Sequence, residues 1–363
     1  MLRVCGRRLD LGVAPLNRAP PPVCVDRGVR PPDMARMPDD ARNDVRPVTP
    51  AADAAIQARG LRKVYAGTKK SPPKEALKGI DLTIPRGSVF GLLGPNGAGK
   101  STFINVLAGL VNKTAGEVSV WGFDVDRNPR QARAALGVVP QEISTDVFFT
   151  PRESLEIQAG LYGVPKAERR TMEILRSLGL EDKAESYARM LSGGMKRRLL
   201  VAKAMVHDPP VLILDEPTAG VDIELRKQLW EQVMALHERG VTVILTTHYL
   251  EEAQELCDTI GIIHRGEVAT VRPKDELIAS LDRKALAITP EDALGAVPRL
   301  PDGANGTLRD GQLVVDYRPS ETRVADVLSA VNDAGVQVRD LSTVEADLED
   351  VFLELTYAAD ARA

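Results

Sequence analysis

SVFGLLGPNGAGKSTFINVLAGLV, residues 88–111, joins a strand pattern, a glycine turn and a helix pattern in one stretch. Its first part, SVFGLLG, is an apolar run of strand length, and its last part, TFINVLAGLV, spaces apolar residues at three and four like one helix face. Between them GPNGAGKST, Gly94–Thr102, ends in a lysine and two hydroxyls. Glycines let successive backbone N–H groups curl round an anion, the helix start adds positive dipole, and Lys100 adds a full charge. A plain glycine turn would leave Lys100 and Ser101 without a reason, so the pattern reads as a phosphate-binding loop. Gly94, Pro95, Asn96, Gly97, Ala98, Gly99, Lys100, Ser101 and Thr102 are the candidate contacts to a phosphorylated ligand, with the Ser101 hydroxyl available to Mg²⁺.

The regular pattern extends both ways from that loop. Upstream, AIQARGLRKVYAG and ALKGIDLTIPRG alternate and cluster apolar residues as short strands do. Downstream, the stretch from Thr150 to His207 turns helical in ESLEIQAGLYG, KAERRTMEILRSLG and MKRRLLVAKAMVH. VLILDEP and VTVILTTH then read as strands buried on both faces, separated by the helix LRKQLWEQVMALHERG, which stops at Gly240. Such alternation predicts an α/β core around a mostly parallel sheet.

After about Leu281 the character changes. LAITP, then TLRDGQLVVDY with Asp310-Gly311 as its hairpin turn, then helical TRVADVLSAVNDAG and VEADLEDVFLELT, predict a small C-terminal α+β domain. The expected limits are a disordered extension over 1–55, the main domain over 56–281 with a helical part at about 150–207, the small domain over 282–358, and a tail over 359–363. The extension is rich in Pro, Arg, Ala and Asp, lacks the apolar core of a signal peptide, and contains Met34 and Met37 as alternative starts.

Composition narrows the function classes. With 363 residues, 44% of them hydrophobic, the chain can bury a full-sized core. A net charge of −4 lacks the basic footprint of a dedicated nucleic-acid binder, so no nucleic-acid partner is expected. No apolar stretch approaches the roughly 20 residues of a membrane span, so the chain is expected to be soluble by itself. Cys5, Cys24 and Cys257 form no CxxC pair and suit a reducing compartment.

The remaining candidates lie where strands end. VLILDEP delivers Asp215 and Glu216 to a carboxyl edge, where open α/β sheets bind ligands. Asp215 can hold Mg²⁺ opposite Ser101, and Glu216 can orient or deprotonate a water for attack on a γ-phosphate. His248, at the end of VTVILTTH, reaches the same edge and suits a γ-phosphate contact, whereas His207, His237 and His264 read as incidental. Gln141, after GVVP, can reach the metal or the attacking water. Tyr65 offers an aromatic face on which adenine can stack. In LSGGMKRR, residues 191–198, Ser192, Gly193 and Gly194 open a helix with a bare backbone that implies close approach by something.

Taken together these residues resemble the nucleotide-binding subunit of ATP-binding-cassette transporters. The Walker A stretch GPNGAGKS, Gln141, LSGGM, the Walker B stretch VLILDEP, AGVD ending at Asp222 and the switch His248 follow that family's order over about Ile56 to Leu281. LSGGMKRRLL, HDPPVLILDEPTAGVD and TTHYLEEAQELCD look most like the export-type subset, often called ABC-2, and LEDVFLELT resembles the ending of such subunits. The resemblance implies a P-loop NTPase fold with a mostly parallel sheet, an antiparallel β subdomain and a helical subdomain. It implies ATP and Mg²⁺ as ligands, and Ser192, Gly193 and Gly194 facing the nucleotide of a second copy. It further implies a separate transmembrane permease subunit docking near Gln141 and EISTDVFFTPRESL, at the cytoplasmic side of the membrane. Two alternatives are a soluble, non-transport cassette ATPase and a module that holds ATP without turnover; Glu216 speaks against the second.

Overall fold

The computed structural model describes residues 53–361 apart from 68–71, 144–145, 219–222 and 346. Most of the expected N-terminal extension and the AGVD stretch, with Asp222, lie outside the described residues. Two twelve-residue strands, β1 (Ala54–Tyr65) and β2 (Lys74–Pro85), pair antiparallel, with Ala54 opposite Pro85 and Tyr65 opposite Lys74. Regular structure thus begins two residues before the expected limit at 56. The strand read in ALKGIDLTIPRG begins two residues earlier, at Lys74, directly after Pro72 and Pro73. Leu77 decides this: it is fully buried opposite Lys63, and its burial outweighs the turn-forming prolines just before it.

The buried strand β3 (Val89–Leu93) runs into the glycine loop and then α1 (Lys100–Leu107). β4 (Ala115–Val120) and β5 (Phe123–Asp124) return to the first two strands and complete an antiparallel sheet of order β2-β1-β4-β5. After α2 (Pro129–Ala134) and β6 (Leu136–Val139) the chain turns helical: α3 (Pro151–Leu161), α4 (Thr171–Ser177) and α5 (Gly193–Met205). Thr150 and Glu153 start α3 with reciprocal side-chain to backbone hydrogen bonds that satisfy two otherwise orphaned N–H groups.

β7 (Val211–Asp215), α6 (Ile223–His237), β8 (Thr242–Thr246), α7 (Leu250–Leu256), β9 (Thr259–His264), β10 (Glu267–Pro273) and α8 (Lys274–Ala279) follow. They complete a six-stranded sheet of order β10-β9-β3-β8-β7-β6, parallel except at the edge strand β10. Its central strands are buried on both faces. Leu93, Leu212, Leu214 and Leu245 face a core shared with α3, α5 and α6, whereas Phe90, Ile213 and Ile244 face the antiparallel sheet and α1. That double burial explains the continuous apolar runs in the sequence.

A third sheet, of order β12-β13-β11-β14, is built from β11 (Lys284–Pro290), β12 (Ala304–Arg309), β13 (Gln312–Tyr317) and β14 (Val338–Glu345). Asp310 and Gly311, both at positive φ (51° and 77°), make the tight turn between β12 and β13. Helix α9 (Val324–Asp333) covers this sheet through Val327 and Val331. Among its described side chains, the last helix, α10 (Leu348–Ala361), contributes none to that core. Its Leu348 and Val351 are buried with the main domain, so the segment expected to close the small domain packs on the large one.

Candidate active site

A cleft of about 770 Å³ opens at the carboxyl ends of the parallel strands, lined by Tyr65, Lys74, the loop from Asn96 to Thr102, Gln141, Glu216 and His248. The loop's path allows side chains only in part. At Gly94 (φ 152°) a Cβ would lie 2.1 Å from the Ile263 carbonyl oxygen, and at Gly99 (φ 117°) 2.8 Å from that of Ala76. Gly99 caps α1 without any side-chain hydrogen bond, so the first N–H groups of the helix face the cleft without a side-chain acceptor at that cap.

Lys100 is nearly buried, and its ammonium donates to the Gly94 carbonyl (2.6 Å) and the Pro95 carbonyl (3.2 Å). Burial holds it below the usual lysine range, while the Glu216 and Asp215 carboxylates oppose that shift. The same burial pushes Asp215 above the usual carboxylate range, against the pull of the Thr246 hydroxyl, which donates to its Oδ1 at 2.6 Å. A desolvated carboxylate, a lysine and the Ser101 hydroxyl form a hard-oxygen and cationic set that fits a metal-bound polyphosphate.

Glu216 has φ 46°, a left-handed conformation that residues other than glycine seldom adopt. Its N–H holds that shape by donating to the Thr246 carbonyl (3.0 Å) and Oγ1 (3.1 Å). Its Oε2 accepts from Gln141 Nε2 at 2.8 Å and lies 3.4 Å from His248 Nδ1. Three predicted residues from the ends of β6, β7 and β8 thus meet at one oxygen. Tyr65 ends β1 half-exposed, with its hydroxyl 3.5 Å from Thr102 Oγ1.

Ser192, Gly193 and Gly194 do not line this cleft. Ser192 caps α5, accepting from the Met195 N–H at 3.3 Å, and both Ser192 and Gly193 are exposed. A Cβ on Gly193 would meet nothing within 4 Å, so nothing described in this chain requires glycine there. Sequence reasoning missed Arg197, which is buried and whose Nη1 donates to the carbonyls of Pro140 (3.0 Å) and Gln141 (2.8 Å). In the run MKRR it looks solvated, and the available signal was its spacing three residues after Gly194 and four before Val201, on the buried face of α5. Thr246 and Lys74 were missed as well, the first because a threonine inside an apolar strand reads as filler.

A family model described as "ABC transporter" matches residues 77–219. Over 310 residues the chain is 36% identical to the linearmycin resistance ATP-binding protein of Bacillus subtilis, covering 83% of this chain and 98% of that protein. It is 38% identical to the daunorubicin/doxorubicin resistance ATP-binding protein of Streptomyces peucetius (85% and 94% covered). The chain belongs to the ABC transporter family as an ATP-binding subunit. The Nod factor export ATP-binding protein I of Cupriavidus pinatubonensis is a further relative, 36% identical with 85% and 92% covered. Among solved structures, a dimeric ATP-binding cassette in a post-hydrolysis state, bound to ADP and Pi, matches with TM-score 0.54 at 27% identity (60% of this chain and 98% of that one). The chain is accordingly an ABC-type ATPase. No described helix is long and apolar enough to cross a membrane.

Proposed function

We propose that two copies of this chain close on ATP, each supplying Ser192, Gly193 and Gly194 to the nucleotide on its partner's phosphate loop, and that closure and hydrolysis drive export through a separate membrane subunit at the cytoplasmic face. The convergence of Gln141, Glu216 and His248 on one carboxylate oxygen beside the phosphate loop carries the hydrolytic part of this reading.

In this reading the loop N–H groups and Lys100 bind the β- and γ-phosphates, Lys100 exchanging its two carbonyl partners for phosphate oxygens. Ser101, Gln141 and Asp215 would hold Mg²⁺, which would supply Lewis-acid neutralisation of the charge that develops on the phosphates. Glu216 accepts a proton from the attacking water or orients it, Gln141 and His248 fix the carboxylate, and His248 contacts the γ-phosphate. Tyr65 carries the adenine. Loss of the γ-phosphate removes the group that bridges the two copies, and their separation moves the membrane subunit.

The export arm is supported by the antibiotic-resistance and Nod factor export names of the relatives. The membrane-docking arm is supported by the exposed apolar side chains of Ile143, Val147, Phe148 and Phe149, in the segment that follows Gln141; Phe148 is 71% exposed. The test is Mg²⁺-dependent ATP hydrolysis by the chain with its membrane subunit, together with light scattering of Glu216→Gln. The variant is expected to be a stable dimer in ATP and a monomer without it. Absence of hydrolysis in the wild type and no ATP-dependent dimer in the variant would replace this reading with a nucleotide-binding module.

A further inference from the structure

Glu252, in the first turn of α7, takes no part in the chemistry above and yet is only 5% exposed. A buried carboxylate persists only when its oxygens are matched. Here Oε2 accepts from two hydroxyls, Thr218 Oγ1 at 3.0 Å and Thr247 Oγ1 at 2.9 Å. Thr218 lies two residues beyond Glu216, and Thr247 immediately precedes His248. Thr247 Oγ1 in turn accepts the Tyr249 N–H at 3.0 Å, which closes the turn around His248.

The second oxygen faces α6. Glu252 Oε1 lies 3.4 Å from Arg226 Nε, a charge contact without a hydrogen bond on either atom. The Arg226 guanidinium sits 4.4 Å from the centroid of the Tyr249 ring, and that ring lies against His248 at 4.0 Å. One carboxylate therefore gathers the loop after β7, the turn after β8 and the start of α6. Two of these carry the groups that must meet at the γ-phosphate, Glu216 and His248, themselves 3.4 Å apart. An apolar residue at 252 could pack α7 equally well, but it could not accept from both threonines.

We propose that Glu252 is a positioning residue that ties the loop bearing Glu216 to the turn bearing His248, so that turnover depends on it while ATP binding does not. The idea rests on the roles assigned above to Glu216 and His248. Misplacement of reacting groups by about 1 Å can cost on the order of 100-fold in rate, which sets the expected scale.

In full-length chain with its membrane subunit, Glu252→Ala is expected to lower kcat by about 10- to 100-fold and to leave KM and the affinity for a fluorescent ATP analogue within about twofold. Glu252→Gln keeps one oxygen that can accept from both threonines, and is expected to recover kcat to within about threefold of wild type. Thr218→Val, which leaves the carboxylate in place, guards against a misfolded alanine variant and is expected to give an intermediate fall in kcat. Wild-type kcat in both Glu252→Ala and Thr218→Val overturns the proposal, as does a Glu252→Gln enzyme no faster than the alanine variant. Hydrogen exchange over residues 213–218 and 245–250 reads the tie without turnover. It should rise in Glu252→Ala and stay at the wild-type level in Glu252→Gln; equal exchange in both also overturns the proposal. An inactive wild type whose exchange behaves as expected would refute the assigned hydrolysis and leave the tie standing.

Discussion

Single residues around the cleft carry opposed demands. Asp215 is a buried negative charge, raised above the usual carboxylate range by desolvation, with the neighbouring Glu216 charge pushing in the same direction. A carboxyl whose folded-state pKa is raised takes up its proton on folding, so it favours the native state as pH falls toward that raised value and disfavours it once both states are ionised. Asp215→Asn keeps the acceptor for Thr246 and removes the charge. It should therefore raise the melting temperature of the nucleotide-free chain at pH 7.5 by roughly 1–2 °C while abolishing Mg²⁺-dependent hydrolysis. A lower melting temperature would show that the charge is stabilising where it sits. Two glycines make a sharper pair. Gly94→Ala drives a Cβ into the Ile263 carbonyl and should unfold the loop or abolish nucleotide binding, whereas Gly193→Ala meets nothing. If the bare backbone at Gly193 serves a partner's nucleotide, its alanine variant should melt like wild type and bind ATP as a monomer, yet turn over at least about tenfold more slowly. Unchanged turnover would mean that no nucleotide approaches the backbone closely at that glycine.

Among the elements, those buried on both faces were the ones legible in the sequence. β3, β7 and β8 announce themselves because a strand sandwiched between two cores has no polar alternation to blur, and the candidate residues at their ends are placed with them. What stayed hidden depended on contacts that no local pattern encodes. β14, VRDLSTVE, is an edge strand of mixed polarity with Leu341 half-exposed, and α10 carries an ordinary amphipathic stripe that does not say which core it enters. Arg197 and Glu252 read as solvated charges until the partners that bury them are known. The docking of α10 is testable. Leu348→Ala should destabilise the main domain by about 2–5 kcal/mol in denaturant unfolding, a loss that would be absent if the helix belonged to the small sheet alone. The junction of α3 with β6 makes a second case. His207 stacks parallel on Tyr162 with ring centroids 3.7 Å apart, its Nε2 lies 3.0 Å from the Leu136 carbonyl, and its buried Nδ1 has no partner. Burial lowers its pKa, against the smaller upward pull of Leu136 and Asp208, so the unfolded chain binds the proton first and stability is lost as pH falls below the ordinary histidine value near 6.5. His207→Gln can still donate to Leu136 and does not titrate. Between pH 7.5 and pH 5.5 the wild type should lose roughly 1–3 °C more in melting temperature than this variant. Parallel curves would mean that the ring is already charged in the folded state.

For the molecule as a whole, one count is decisive: the chain has one phosphate loop and one LSGG segment, and that segment does not line the loop's cleft. If completion comes from a second copy, defects in the two motifs should complement each other in a way that no single-chain site allows. A heterodimer of Lys100→Ala with Ser192→Arg, isolated through two different affinity tags, contains one pocket with both defects and one pocket with neither. A heterodimer of wild type with the doubly substituted chain contains the same four motifs in total, but each of its pockets has one defect. Shared pockets therefore predict hydrolysis in the first pairing, up to about half the wild-type rate if the pockets act independently, and almost none in the second. Pockets complete within a chain predict the reverse, because the wild-type chain would then keep its own intact site and each singly substituted chain would not. Monomer nucleotide affinity supplies the control: Lys100→Ala should weaken it, since Lys100 lies in the cleft, and Ser192→Arg should not, since Ser192 is exposed at the start of α5 outside it. Activity confined to the wild-type and double-variant pairing would separate the LSGG segment from the partner's nucleotide and leave its exposed glycine without a role in turnover.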